Sequence, residues 1–165
     1  MKTIHHPTPV QQTIVHNLKQ LLNGGNAHIS LEKALDNLPP KLRGEKPVNL
    51  PYSIWQLTEH IRITQWDILE FSRNPHHVSP QWPDEYWPQE AAPDVKKWEK
   101  TLQSIQSDRN AFVALLEVKD ADLFSPFEHA DNGQNLFREA MLIADHTSYH
   151  IGQIIVLRRL LNNWE

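Results

Sequence analysis

The sequence predicts an all-α fold: a four-helix bundle with a short accessory helix and a long connection between the second and third of its long helices. Three observations point there. Four segments repeat apolar residues at the three- and four-residue spacings of a buried helical face. No stretch alternates apolar and polar residues between hairpin turns, and one Pro-rich run of twenty residues interrupts the helical segments midway.

The first long helix is expected over residues 9–22, where Val10, Ile14, Leu18 and Leu21 share a face and the Gly24-Gly25-Asn26 run stops the helix. Ser30 can cap an accessory helix over 31–38, which ends at Pro39-Pro40, and LRGEKPVN then reads as loop. At 53-SIWQ-56 a hydroxyl residue followed three positions later by Gln is the capping-box pattern, and Ile54, Leu57, Ile61 and Ile68 continue the apolar stripe to about residue 73. The next segment, 74-NPHHVSPQWPDEYWPQEAAP-93, holds five prolines and is too polar and Pro-rich to be helical. Loops this long inside a domain usually carry function, and at full extension this one spans roughly 60 Å, so it can cross the bundle.

Residues 94–118 carry Trp98, Leu102, Ile105, Arg109, Phe112 and Leu116 at alternating spacings of four and three, with Arg109 alone breaking the stripe. After a linker with Pro126 and Gly133, residues 136–162 repeat the pattern through Leu136, Ala140, Ile143, Thr147, His150, Ile154, Leu157 and Leu161. A length of 165 residues suits one domain, 1–165. The net charge of −4 arises from 16 basic and 20 acidic residues mixed along the chain, which offers no cationic stripe for nucleic acid. Without cysteine there are no disulfides or thiolate metal sites. The N-terminal MKTIHHPTPV lacks a signal peptide's apolar core, and no run of about 18 apolar residues occurs, so no membrane contact and a cytoplasmic location are expected. His5 and His6 read as a frayed terminus or tag remnant.

The chemistry concentrates in histidine. His150 occupies a position where the period calls for Leu, and His146 lies one turn earlier at the edge of the same stripe, close enough for both imidazoles to reach one ion. His60, at the flank of the apolar stripe of residues 54–73, is the candidate third ligand. Three unpartnered buried imidazoles would cost roughly 1–3 kcal/mol each, whereas one divalent cation satisfies all three. A lone core histidine, however, is more often simply hydrogen-bonded, and i,i+4 pairs also arise by chance among ten histidines. The spacing of 146-HTSYH-150 excludes a zinc-protease motif, and no Glu precedes either residue as a di-iron bundle needs. Gln153 and Gln56 are candidate partners for the imidazoles. Trp82, Tyr86 and Trp87 either line a substrate pocket or pin the long loop. His76, His77 and His129 read as solvated loop residues, and Arg158 and Arg159 as complements of the helix dipole. Gly152, opposite the histidine stripe, suggests close approach of another helix, from this chain or from a second subunit.

SIWQLTEHI around His60, with IADHTSYHIGQIIVLRRLL in the last helix, closely resembles the DinB-like superfamily of small bacterial metal-binding bundles. The resemblance implies an up-down-down-up bundle, a divalent ion such as zinc or nickel on His60, His146 and His150, and a homodimer. It also implies chemistry with small molecules, as some relatives look like transferases or isomerases that use low-molecular-weight thiols. Three protein ligands leave an ion a position for water or substrate. The expectation is therefore a metal-dependent thiol S-transferase or a related hydrolase of small molecules, the alternative being a non-catalytic metal- or ligand-binding stress-response bundle.

Overall fold

Side chains at the caps set where each helix begins. In the computed structural model, which describes residues 8–24 and 26–164, the chain forms five α-helices and, among the described residues, no strand. They are α1 (Pro9–Asn23), α2 (Leu31–Leu35), α3 (Ile54–Arg73), α4 (Val95–Leu116) and α5 (Leu136–Leu160). Thr8, Ser30, Ser53, Asp94 and Asn135 each accept a backbone N–H from the first turn, which satisfies donors that have no partner within the helix. At Ser53 the reciprocal bond is also present, so the capping box read from SIWQ is complete. Gly24 ends α1 at φ 73°, a conformation open to glycine without steric cost.

α2 is shorter than expected. Asp36 is already extended and Asn37 takes a positive φ of 54°, so the helix ends three residues before Leu38, although Leu38 remains buried. A 3₁₀ turn at Pro40–Leu42 follows, and another at Asp84–Tyr86 interrupts the Pro-rich segment expected to be free of helix. The stripe of α1 is also displaced: Leu18 and Leu22 are buried, whereas Val10 and Leu21 face solvent. His5 and His6 lie outside the described residues.

α1 and α3 each pack against both α4 and α5, and α2 lies on α5. Between α3 and α4, Trp55 meets Trp98, Thr101 donates to the Glu59 carboxylate, and Gln65 donates to the Ile105 carbonyl. One apolar cluster gathers Trp55, Leu57, Ile61, Trp98, Ile151 and Ile154. A second gathers Leu18, Ile68, Phe112, Ala140 and Ile143. α5 leaves the second cluster at Ile143 and enters the first at Ile151, and its two histidines lie on the stretch between.

Arg158 does more than complement the dipole of α5. It is buried, donates from Nη1 to the carbonyls of Ala34 and Asp36 at 2.8 Å each, and stacks on Trp164. These bonds satisfy carbonyls that the early end of α2 leaves unpaired. Replacement of Arg158 by Ala strands them, and the unfolding free energy measured in urea is expected to fall by about 1–3 kcal/mol. An unchanged midpoint would show that these bonds are not limiting.

Candidate metal centre

His60 lies in the second turn of α3 and is only 3 % exposed. Its Nδ1 is 2.8 Å from the Tyr86 carbonyl oxygen. A carbonyl only accepts, so Nδ1 carries the proton and Nε2 keeps its lone pair. The Trp87 ring stacks on the imidazole at 4.0 Å with an interplanar angle of 5°, which fixes the ring plane as well as the tautomer. On α5 the Nδ1 of His150 lies 2.6 Å from the Gln153 Oε1, and Gln153 Nε2 donates in turn to the Tyr52 hydroxyl at 3.1 Å. The amide oxygen selects the same tautomer for His150.

Both free Nε2 atoms turn toward His146. Its Nε2 is 3.1 Å from that of His60 and 3.1 Å from that of His150. Neutral His146 can place at most one proton between these three nitrogens, so at least one pair faces lone pair to lone pair unless a cation lies among them. Two nitrogens bonded to one ion at about 2.0–2.1 Å lie about 2.8–3.4 Å apart, from cis octahedral to tetrahedral geometry, so two edges of the triangle already have a length that a shared ion imposes. All three donor atoms fall within 4.8 Å of one another. The donor set therefore fits a divalent metal ion.

No carboxylate joins this cluster among the described residues. Glu59, the sequence neighbour of His60, is held by Arg62 Nε and Thr101 Oγ1. Burial, reinforced by the neighbouring His150 and His60, pushes the pKa of His146 down to about 3. Burial also lowers His60 and His150, against the opposing effect of the hydrogen bonds they donate to Tyr86 and Gln153 respectively. All three rings are thus neutral near pH 7, the form that binds metal.

The family model of the DinB superfamily matches residues 27–154 of this chain. The chain belongs to the DinB superfamily. Comparison with curated proteins and with solved structures found no match.

The other candidate residues of this DinB-superfamily chain divide. Gln153 partners a triad imidazole. Gln56 does not: its Oε1 accepts the Ser53 N–H at 3.1 Å, because the capping box takes the side chain that a contact with His60 would need. Tyr86 and Trp87 touch His60, and the Trp82 ring lies 6.5 Å from it. His77 and His129 are not solvated, since His77 Nε2 bonds the Asp67 carboxylate at 2.8 Å and His129 Nε2 bonds the Phe71 carbonyl at 2.9 Å.

Asp67 was not foreseen. Its second oxygen accepts the Tyr86 hydroxyl at 2.6 Å, and burial, then Asp67, holds that phenol well above its ordinary range. One carboxylate thereby ties two points of the long loop to α3, and with them the Tyr86 carbonyl that orients His60. A carboxylate on the buried side of a helix needs a partner, and that was the available signal. Tyr52 was missed as well, because its hydroxyl meets Gln153 only through the fold.

Two predictions follow from this geometry. Histidines whose pKa is lowered by folding contribute stability that is complete above about pH 6.5 and is lost as pH falls toward about 3. Urea titrations of the metal-free protein should show stability falling between these limits more steeply than in His146→Ala, and equal slopes would contradict the burial of that ring. Gln153→Leu, which removes the acceptor of His150 Nδ1, is expected to weaken zinc binding by about 10- to 100-fold in competition titrations with a chromophoric chelator. Wild-type affinity in that variant would exclude Gln153 from orienting the ring.

Proposed function

We propose that this protein is a divalent-metal-dependent enzyme acting on small molecules, with a low-molecular-weight thiol as one substrate and S-transfer as its reaction. Hydrolysis is the related activity that the same centre supports. The observation that carries the proposal is the charge of the donor set: three neutral imidazoles and no carboxylate. A divalent ion held by His60, His146 and His150, zinc or nickel, would keep its full charge and supply Lewis acidity that favours a bound anion such as a thiolate.

The chain's own residues supply orientation and exclusion. The Tyr86 carbonyl and the Gln153 amide oxygen hold two rings with Nε2 forward. Trp87 covers one face of His60 and keeps water from it. Trp82, Tyr86 and Trp87 form the wall that a substrate meets. One observation favours the second reading, a non-catalytic binding module: among the described residues, no acid or base hydrogen-bonds to the triad.

The proposal extends to the frame around the site. The four long helices run up-down-down-up within one domain. This is supported by pairs that rise together along α3 and α4 (Trp55 with Trp98, Gln65 with Ile105) and by the opposed pairs Tyr52 with Gln153 and His60 with His146. A homodimer through α5 is supported by exposed Tyr149, Val156 and Leu160, and by Gly152, where an added Cβ meets nothing within 4 Å. Among the described residues no helix is long and apolar enough to cross a membrane, which is compatible with a cytoplasmic protein.

The test is metal content and turnover on the same untagged preparation. One equivalent of zinc or nickel per chain is expected. Thiol transfer to a panel of electrophiles should vanish with chelator and return with metal, and His146→Ala and His150→Ala should lose both metal and turnover while keeping helicity. Stoichiometric metal without turnover would select the binding module, and metal retained in both variants would refute the site.

A further inference from the structure

α2 ends at Leu35, and the chain turns a corner at Asn37, whose φ is 54°. Between this corner and α4 lies a cavity of about 410 Å³. Leu31, Leu35 and Leu38 line it from the α2 side, and Leu102 and Ile105 line it from α4. None of its lining residues belongs to the histidine triad or hydrogen-bonds to it. A concave apolar space of this size suits a small ligand held by a few polar groups.

The polar groups at its rim differ in what they already hold. Glu32 and Gln106 both accept from Arg109 Nη2, and Asp36 accepts from the Asn37 amide at 3.1 Å. Arg43 is the one charged lining residue without a hydrogen-bonded partner among the described residues. Its guanidinium carbon lies 4.6 Å from the centroid of the Trp98 ring, which also lines the cavity, and this contact holds the plane of the cation. Its Nε is shielded from water and unpaired, and Glu99 acts on the charge only through space. The two Nη groups therefore remain as donors for something outside the chain. A guanidinium offers a planar fork of donors that a carboxylate matches with two parallel charge-assisted bonds.

We propose that this cavity is a second ligand site, separate from the histidine triad, and that it binds a small aliphatic carboxylate. The carboxylate sits on the Nη side of Arg43, and the hydrocarbon lies among Leu31, Leu35, Leu102 and Ile105. Binding there needs no metal.

The experiment titrates the full chain with octanoate, with and without one equivalent of zinc, by calorimetry and by NMR of the leucine and isoleucine methyl groups. Octanoate is expected to bind at one equivalent in both conditions and to shift the methyls of Leu31, Leu35, Leu102 and Ile105. It should bind about tenfold or more tightly than octanamide, which keeps the hydrocarbon and loses the charge. Arg43→Gln should weaken octanoate by about tenfold or more and change octanamide little, and Leu102→Trp, which fills the space, should abolish binding of both. No binding, equal affinity for octanoate and octanamide, or methyl shifts confined to other parts of the chain would overturn the proposal. The methyl map of the wild-type chain decides this even where a variant fails to fold. Octanoate that binds only with zinc and is unaffected by Arg43→Gln would put the carboxylate on the ion of the triad, which refutes the second site and leaves the metal centre standing.

Discussion

Two hydrogen bonds made on the outer side of the imidazoles set the character of this bundle. Because the Tyr86 carbonyl and the Gln153 amide oxygen can only accept, His60 and His150 carry their protons on Nδ1 and present bare Nε2 atoms inward. His146 then stands 3.1 Å from both, in a region where burial opposes protonation. A buried polar cluster that cannot satisfy itself with protons is one that a cation would satisfy, and the surrounding bonds hold the rings in that arrangement.

The support for those bonds extends well away from the triad. Tyr86 belongs to a loop that holds no α-helix, and its carbonyl stays in place because its hydroxyl and the side chain of His77 both bond Asp67. Gln153 is steadied by Tyr52, at the entrance to α3, whose ring stacks near Trp87. The long connection thus works as a brace between the buried face of α3 and the histidine triad, which explains the aromatic and polar residues in this Pro-rich segment.

What was legible from residues alone was the part encoded by local periodicity. The long helices, the capping box at Ser53, and the inward direction of His60, His146 and His150 follow from patterns of three and four residues, because a helical face is set within a few residues. Gln153 was legible for the same reason, one turn from its histidine. Gln56 was misplaced, although the capping box that occupies it was also read from SIWQ; the two roles exclude each other, and the local one prevailed. Arg158 seemed explained by the dipole of its own helix, while its Nη1 bonds two carbonyls more than a hundred residues away in the chain. The bonds that Asp67 accepts from His77 and Tyr86 were hidden because they depend on how a long loop folds back, which no periodicity encodes.

The central claim is that three Nε2 lone pairs converge on one ion, and nitrogen-15 NMR of the imidazoles tests it most directly. In metal-free protein, His60 and His150 should both show the Nδ1-protonated tautomer near pH 7. On addition of one equivalent of zinc, the Nε2 resonances of His60, His146 and His150 should shift together and saturate together. A His60 protonated on Nε2, or a titration in which only two of the three nitrogens respond, would contradict the account.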